Sequence, residues 1–425
     1  MTDKKPKVLI ETYGCTMNQA DSDMIEAILR GRGYRVSGPE EGEADADIIV
    51  LNTCTVKGPT ENRILERIRR LETENRKLVV AGCMSVNSDR LRKITDAPIV
   101  WPGAIGKIGE ALEDALCGQA TEYKDVERKE GLPTIITKPI MRLAIAEGCV
   151  GSCSFCQTKL ARPGLRSMGP QAVLRRMADG VAAGAKEIQL TAMDTGAYGL
   201  DIGTDLPSLL NCINEMDGDF FVRLGMINPD HALRMKEKLV AALNGPRFYK
   251  FLHIPVQSGS EKVCRDMNRK HTVAEFEGIV RDLRKGIPGV TIATDVIVGY
   301  PTETERDYQD TLEMLGRARP DIVNLSRFSA RPLTRAKELK PLPTQEVKRR
   351  STEASALVKR ICEERNKALV GEEFEVLITE KQKDFTGRTI GYKQVVVKDF
   401  DGELGESVKV KIKDANYGSL FGVPP

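Results

Sequence analysis

The sequence predicts a mixed α/β protein with three parts: an N-terminal doubly wound parallel sheet, a central partial barrel of six β/α units and a small C-terminal antiparallel β-barrel. Strand-like and helical runs alternate before residue 100 and again after Met141. Because parallel neighbours need helical crossovers, these alternations predict the two parallel parts. Short β-type runs separated by Gly and Asp follow Gly371 and predict the small barrel.

Length and composition set the domain count and exclude some classes of protein. The chain has 425 residues, too many for one hydrophobic core. We predict a domain at 1–117, a linker at 118–138, a second domain at 139–367 and a third at 368–425. No apolar run approaches the roughly 18 residues that span a bilayer, and no signal-peptide pattern is present, so we expect a cytoplasmic protein with no membrane segment. Separately, we expect the chain to act as a monomer, although the sequence does not fix the oligomeric state.

The first hundred residues repeat one unit three times: a strand, a loop with one cysteine, and a helical stretch. The loops contain Cys15, Cys54 and Cys83, and we expect the first helix to start at an N-cap of Asp21 or Ser22. Loops that follow parallel strands gather at one edge of the sheet. The three thiols are therefore expected to converge.

The central part contains six strand-like runs, two fewer than a full eight-fold barrel, which predicts an open barrel with its site at the carboxyl ends of the strands. These runs are Arg142–Ala146, Glu187–Thr191, Phe221–Gly225, Lys250–Ile254, Val290–Ile297 and Ile322–Arg327. A helical stretch near 345–367 follows. The terminal β-type runs are Phe374–Ile378, Thr389–Val397 and Ser407–Ile412.

A second set of cysteines, Cys149, Cys153 and Cys156, forms a C-x3-C-x2-C array after the first barrel strand. Three thiolates can hold three irons of a 4Fe-4S cube and leave the fourth iron open to another ligand. A zinc site is the alternative, but it needs a fourth Cys or a His that this loop lacks. For both cysteine sets the remaining alternative is that the thiols are only structural.

This array, with Phe155 before its last cysteine, resembles the radical S-adenosylmethionine superfamily. The trio of Cys15, Cys54 and Cys83 resembles the second-cluster domain of its methylthiotransferases, and the terminal β segment is similar to their RNA-binding TRAM module. The resemblance covers essentially the whole chain. Further matching runs are EIQLTAMDTGAYGLDIGTDLP, RLGMINP, FLHIPVQSGS and TDVIVGYPTET. Of these, DTGAYGLDIGT resembles the branch acting on threonylcarbamoyladenosine in tRNA.

The resemblance implies an enzyme that methylthiolates C2 of N6-threonylcarbamoyladenosine next to the anticodon of tRNA. It implies two 4Fe-4S clusters, one on each cysteine trio, and two molecules of S-adenosylmethionine. The implied partners are tRNA, an electron donor of the flavodoxin or ferredoxin type, and a sulfur donor that the sequence does not identify.

Candidate contacts to cofactor and RNA are weaker predictions, since each residue also has an ordinary structural explanation. For S-adenosylmethionine we predict Phe155, Glu187, Thr191, Arg223, Gln257, Asp295 and Val296, with Glu187 at the amino group and Arg223 at the carboxylate. For RNA we predict Lys159, Arg162, Arg349, Arg350, Lys381 and Arg388, because basic patches suit phosphate contacts. Solvated charged surfaces are the alternative.

Three other functions compete with this one. A sister enzyme would act on isopentenyladenosine in tRNA or on a ribosomal-protein aspartate, and the DTGAYG run argues against it. A non-catalytic iron–sulfur protein that binds RNA would have closed clusters and would not cleave S-adenosylmethionine. An electron carrier would not need an RNA-binding module.

Overall fold

The computed structural model describes residues 5–38, 42, 45–56 and 58–425. Its N-terminal part is a sheet in which all neighbouring strands are parallel, in the order β2-β1-β3-β4-β5-β6. The strands are β1 (Lys7–Thr12), β2 (Arg35–Ser37), β3 (Ile48–Thr53), β4 (Lys77–Gly82), β5 (Ile99–Val100) and β6 (Glu122–Tyr123). Strand β6 lies in the segment predicted as a linker and forms the edge of this sheet.

Helices cover both faces of the N-terminal sheet, which confirms the doubly wound prediction. They are α1 (Thr16–Gly31), α2 (Gly58–Thr73), α3 (Ser88–Leu91) and α4 (Ile108–Cys117). Met24, Leu29 and Leu112 of α1 and α4 pack in one hydrophobic cluster, and Ile64 and Leu71 of α2 pack in another. Burial of apolar side chains on both faces stabilises such a sheet.

The predicted N-cap of α1 was wrong. The helix begins at Thr16, directly after Cys15, and Asp21 and Ser22 are buried within it. Ser22 pairs with the Thr12 hydroxyl at 2.7 Å, and Asp21 forms ion pairs with Lys129 of the linker and Arg162 of the central domain. Tertiary contacts therefore explain these polar residues, which in sequence resembled a cap.

The central part is an open barrel of six parallel strands, as predicted. They form two three-stranded sheets, β7-β10-β11 and β12-β13-β14, which a bridge between Val222 and Phe248 brings together. The strands are β7 (Ile140–Ala144), β10 (Glu187–Thr191), β11 (Phe221–Leu224), β12 (Phe251–His253), β13 (Thr291–Val298) and β14 (Ile322–Arg327), with β8 (Ala146–Glu147) and β9 (Arg166–Ser167) as a short antiparallel pair.

Helices surround this barrel and bury its outward apolar side chains in the largest hydrophobic cluster of the protein. They are α5 (Thr158–Ala161), α6 (Pro170–Ala182), α7 (Leu206–Asn214), α8 (Pro229–Arg234), α9 (Lys236–Leu243), α10 (Glu261–Asp266), α11 (Val273–Gly286), α12 (Glu305–Ala318) and α13 (Thr344–Lys367). None of the helices in the described part of the chain is both long enough and apolar enough to cross a membrane.

The C-terminal part is a closed five-stranded barrel, ordered β15-β16-β17-β19-β18. Its strands are β15 (Glu373–Lys381), β16 (Phe385–Thr389), β17 (Gln394–Val397), β18 (Ser407–Ala415) and β19 (Leu420–Val423). Four pairings are antiparallel, and β17 pairs with β19 in parallel. The run Thr389–Val397 is not one strand, because the chain turns at Tyr392, whose φ is +59°.

Candidate active site

The N-terminal cysteines lie where the sequence predicts, at the carboxyl ends of neighbouring parallel strands. Cys15 follows β1, Cys54 follows β3, and Cys83 follows β4. Gly14 allows this approach: its φ is +127°, and a Cβ there would lie 3.0 Å from the Cys54 Cβ and 3.2 Å from its Sγ. The first two cysteine loops are therefore in direct contact.

Asn18 connects the thiols of this trio. Its buried side chain directs Oδ1 to the Sγ atoms of Cys15 and Cys83, at 3.6 and 3.8 Å, while Nδ2 donates to the Thr53 carbonyl at 2.7 Å. Burial raises the pKa of the Cys54 thiol, and that of Cys83 to about 11. A metal that binds these thiols would have to displace their protons.

The central cysteines occupy the loop between β8 and α5. Gly148 opens this loop with a φ of +77°, and a Cβ there would overlap the Gly164 carbonyl. The Gly151 amide donates to the Cys149 Sγ at 3.2 Å, and the Arg269 guanidinium donates to the Cys153 Sγ at 3.2 Å. Burial raises the pKa of Cys149 to about 11. Arg269 thus places a positive charge against one thiol of this set.

The two cysteine sets face each other across the interface between the first two domains. Thr55, next to Cys54, donates to the Gln157 side chain, next to Cys156, and Gln157 in turn donates to Asn87 at 2.7 Å. The turn that begins at Cys83 contacts α5, the helix that follows the central loop. The two sets therefore border a common region at the mouth of the barrel.

Arg162 contacts the Cys83 thiol and is 1% exposed, so its prediction as an RNA contact was wrong. Its guanidinium binds both oxygens of Glu147, at 2.9 and 2.8 Å, and Asp21 at 2.5 Å. Lys129 binds the same two carboxylates, at 2.7 and 2.5 Å. Burial alone would raise the pKa of the Glu147 carboxyl group, but the two cations lower this pKa to about 2. This four-residue network joins the two domains.

The structure places some predicted cofactor residues at the mouth of the barrel. Thr191 ends β10, and Phe155 packs beside Ile297 of β13. Gln257 forms a bridge with Val296 and has a φ of +74°, a strained value for a residue other than glycine. Their contacts to S-adenosylmethionine stay predictions.

Two predicted cofactor residues do not fit that role. Glu187 is the first residue of β10, at the opposite end of the strand from the cysteine loop, and it accepts hydrogen bonds from the hydroxyls of Tyr249 and Tyr392, at 3.1 and 2.8 Å. It therefore holds the C-terminal barrel against the central one. The side chain of Val296 is fully buried in the cluster between strands and helices, away from the lumen.

Arg223 and Asp295 lie inside the barrel. Asp295 accepts hydrogen bonds from His253 and Asn324, at 2.9 and 2.8 Å. Arg223 lies in mid-strand, in register with Gln189, and its guanidinium is stacked over the rings of Phe251 and Tyr392. The predicted contact of Arg223 with the carboxylate of the cofactor stays a prediction.

The remaining predicted RNA residues have different environments. Arg350 is 4% exposed and paired with Glu303 at 2.8 Å, so that prediction was wrong as well. Arg349 is half-exposed but bound to three glutamates. Lys159 donates to the Gly151 carbonyl of the cysteine loop, and Lys381 and Arg388 stack on aromatic rings of the C-terminal barrel. RNA contacts by these four stay predictions.

Sequence reasoning missed several residues beside the central cysteines. Asp194 is 1% exposed and accepts from the backbone of Gly196 at 3.0 Å and from the Asn228 side chain at 2.6 Å, and His231 Nδ1 lies 3.0 Å from its carboxylate. Asn228 accepts from Arg269 at 2.8 Å. The signal was present in the runs DTGAYG and RLGMINP, which contain Asp194 and Asn228.

The donor atoms of both sets fit an iron–sulfur cluster. Each set is three thiols in glycine-bearing loops, and soft thiolate ligands select iron–sulfur clusters or zinc. Across residues 5–38, 45–56 and 58–425, no three Cys, His, Asp or Glu side chains are arranged to hold a single metal ion. The property that suits an iron–sulfur cluster is the number and kind of donor atoms, three thiol sulfurs in each set.

Comparisons with known families agree with this architecture. Residues 7–100 match the uncharacterized protein family UPF0004, residues 143–315 match the Radical SAM superfamily, and residues 367–424 match the TRAM domain. Fold and site thus define a radical S-adenosylmethionine enzyme, a class that uses a 4Fe-4S cluster. A radical methyltransferase, TsrM from Kitasatospora setae, shares the fold with a TM-score of 0.56 at 15% identity, covering 78% of this chain and 75% of that one.

Full-length relatives define the family more closely. The chain is 41% identical over 426 residues to a probable threonylcarbamoyladenosine tRNA methylthiotransferase of Archaeoglobus fulgidus, covering 98% of both chains. It is 35% identical to the threonylcarbamoyladenosine tRNA methylthiotransferase of Drosophila melanogaster, covering 98% of this chain and 77% of the relative. The chain therefore belongs to the threonylcarbamoyladenosine tRNA methylthiotransferase family.

Proposed function

We propose that the protein methylthiolates C2 of N6-threonylcarbamoyladenosine next to the anticodon of a tRNA, with two 4Fe-4S clusters and two molecules of S-adenosylmethionine. The observation that carries this proposal is the position of the two cysteine trios, which face each other at the mouth of the barrel. A reaction that forms a radical and then transfers sulfur needs both centres within reach of one base. The names of the full-length relatives support the choice of substrate.

Cys149, Cys153 and Cys156 would hold the cluster that binds S-adenosylmethionine, and Cys15, Cys54 and Cys83 would hold the auxiliary one. When bound, these groups supply the electron that cleaves the sulfonium, the radical that removes hydrogen from C2, and the site of the transferred sulfur. The protein's own residues orient the cofactors and exclude water. Arg269 and Asn228 fix the central loop, while Asn18 and Arg162 contact the thiols of the auxiliary trio.

A cleft of about 440 Å³ supports contact with RNA. It lies between β14, α13 and the C-terminal barrel, and its wall includes Lys359, Arg388 and Tyr417. The Lys359 ammonium lies 5.2 Å from the centre of the Tyr417 ring, and Tyr417 is 52% exposed. Exposed aromatic rings beside basic groups suit stacked bases and phosphates. We propose that part of the tRNA outside the modified base binds here.

The resemblance also supports two proposals about partners. One is that reduction of the central cluster would require an external donor of the flavodoxin or ferredoxin type, and the other is that a sulfur donor would supply the transferred sulfur.

Anaerobic reconstitution and nucleoside analysis test the proposed function. The protein, S-adenosylmethionine, sulfide and a reductant are incubated with tRNA that contains threonylcarbamoyladenosine, and the digested tRNA is analysed by mass spectrometry. We expect a nucleoside in which a methylthio group replaces the C2 hydrogen, with 5′-deoxyadenosine formed alongside it. Formation of 5′-deoxyadenosine with methylthiolation of isopentenyladenosine only, or with no methylthio product, would contradict the proposal.

A further inference from the structure

The lumen of the central barrel has a polar middle layer. Along each strand, apolar residues alternate with the residues that face the lumen, and the apolar ones pack against the surrounding helices. The lumen-facing residues of the middle layer are Arg142, Gln189, Arg223, His253, Asp295 and Asn324. A barrel packed only for stability fills such layers with branched apolar side chains. This layer is therefore suited to binding a polar group.

Within this layer, five of the six side chains have polar partners. Arg142 pairs with Asp23 at 3.3 Å, Gln189 donates to Glu187 at 2.7 Å, and both His253 and Asn324 bind Asp295, at 2.9 and 2.8 Å. Arg223 differs: it forms no hydrogen bond or ion pair with any residue that the structure describes, and its Nε is buried without an acceptor. A partly buried guanidinium without an acceptor lacks the partner that such a charge normally has.

The position of the Arg223 guanidinium is nevertheless fixed. It lies 5.3 Å from the centre of the Phe251 ring and 5.9 Å from that of Tyr392. Tyr392 belongs to the C-terminal barrel, and its hydroxyl donates to Glu187 at 2.8 Å. Stacking on two rings restrains the planar group and leaves its N–H groups free to donate to a ligand. The guanidinium is therefore preorganised for a planar anion such as a carboxylate.

We propose that Arg223 binds the carboxylate of the threonylcarbamoyl group on the substrate adenosine and so determines substrate specificity. This inference rests on the proposed function, in which C2 of the same adenine ring reacts at the mouth of the barrel. An isopentenyl group has no carboxylate and would leave the guanidinium desolvated without a partner. An unpaired buried charge of this kind discriminates strongly against the wrong substrate.

The depth of Arg223 in the barrel favours the substrate over the cofactor as the source of the carboxylate. Arg223 pairs with Gln189, two residues before Thr191 at the carboxyl end of β10. At a rise of about 3.3 Å per residue, it lies about 7 Å below the edge from which the cysteine loop extends. Under the proposed function the cofactor would bind at that edge, beside the loop of Cys149, Cys153 and Cys156, whereas a substituent on N6 of the adenine would extend into the lumen.

Equilibrium binding to two synthetic RNAs tests the proposal. One anticodon stem-loop contains threonylcarbamoyladenosine, and the other contains an analogue in which a neutral hydroxymethyl group replaces the carboxylate. The reconstituted protein is used with S-adenosylmethionine but without reductant, so that no turnover occurs. We expect the wild-type protein to bind the first RNA about 10- to 100-fold more tightly, as a charged bidentate contact allows.

The variant Arg223→Gln measures how much of this RNA preference depends on the Arg223 guanidinium. We expect the preference between the two RNAs to fall to less than about 3-fold, with the affinities for the neutral RNA and for S-adenosylmethionine unchanged. Arg247→Gln is the matched control, because Arg247 also stacks on an aromatic ring, that of Phe220 at 5.0 Å, and lies outside the lumen. That variant should keep the wild-type preference.

Several outcomes would overturn the proposal. One is a wild-type protein that binds both RNAs equally, which requires no variant. Others are an Arg223→Gln variant that keeps the preference or loses affinity for both RNAs equally. A variant with weakened binding of S-adenosylmethionine and an unchanged RNA preference would assign Arg223 to the cofactor. In each case, methylthiolation of the tRNA by the wild-type protein would leave the proposed function standing.

Discussion

The two cysteine trios present the same three sulfur donors but are built in different ways. Cys149, Cys153 and Cys156 lie in one loop, whereas Cys15, Cys54 and Cys83 come together only when three parallel strands have paired. The first set is therefore visible as a sequence motif. The second depends on the fold of the N-terminal sheet and on its packing against the barrel. Substitutions that weaken this packing should affect the two sets unequally.

Loss of one thiol from each set should have the largest effect and separate their roles. Cys153→Ala should abolish both 5′-deoxyadenosine and methylthiolated tRNA, because the cluster that cleaves S-adenosylmethionine loses a ligand. Cys83→Ala should abolish only the methylthio product and retain formation of 5′-deoxyadenosine. Chromatography of both products from the same reaction measures the difference. Equal loss of 5′-deoxyadenosine in both variants would show that the sets do not act separately.

Removal of the buried Arg162 guanidinium should lower the stability of the N-terminal domain, which carries Cys15, Cys54 and Cys83. In Arg162→Met, Asp21 and Glu147 lose one of their two shared cations and keep only Lys129, and breaking such a buried ion pair costs about 3–5 kcal/mol. Trp101, the one tryptophan of the chain, lies in the N-terminal domain and reports its unfolding in urea by fluorescence. Arg166→Met is the control, because among the described residues the Arg166 guanidinium donates to the nearby Pro163 carbonyl alone, so this variant should change stability by less than about 1 kcal/mol.

The docking of α1 on the barrel should depend on pH. Burial raises the pKa of Asp23 to about 6, despite its ion pair with Arg142. Because the folded state then binds more protons than the unfolded state between about pH 4 and 6, this carboxyl group lowers stability as the pH rises through that window. Asp23→Asn should remove this dependence, so the stability difference between variant and wild type should increase with pH by up to about 3 kcal/mol. A difference that stays constant from pH 4 to 7 would contradict the assignment.

The smallest expected effect is a change in the reduction potential of the cluster on Cys149, Cys153 and Cys156 alone. Arg269 donates to the Cys153 thiol, so Arg269→Gln removes a positive charge that would stabilise the reduced form of a cluster held there. For a charged hydrogen bond of about 1.5–3 kcal/mol, the reduction potential should fall by about 60–120 mV. A redox titration followed by electron paramagnetic resonance measures both clusters. Equal shifts at both would mean that the trios are electrostatically coupled and would contradict this local effect.

Sequence patterns predict the features of this molecule that are set by residues close together in the chain. Runs of apolar residues locate the barrel strands, with Glu187–Thr191 and Ile322–Arg327 placed at the same bounds as in the structure. The spacing of Cys149, Cys153 and Cys156 identifies their loop. Such features follow from residues that are neighbours in the chain.

Three of the errors at the candidate site, at Arg162, Arg350 and Glu187, concern charged residues whose partners are distant in sequence. Arg162 and Arg350 are basic residues in basic stretches, and the sequence does not reveal that buried carboxylates surround them. Glu187 begins a strand as predicted, but its hydrogen-bond partners are Tyr249, which lies just before β12, and Tyr392 of the C-terminal barrel. Burial and pairing across domains therefore decide the role of a charge, and neither follows from residue type.

The iron content of the reconstituted protein tests the central claim, two clusters on two trios, most directly. We expect about eight irons per chain in the wild type and about four in the variant Cys15→Ala/Cys54→Ala/Cys83→Ala, with the remaining cluster still able to cleave S-adenosylmethionine. About four irons in the wild type, or an iron content that the triple substitution leaves unchanged, would contradict the account.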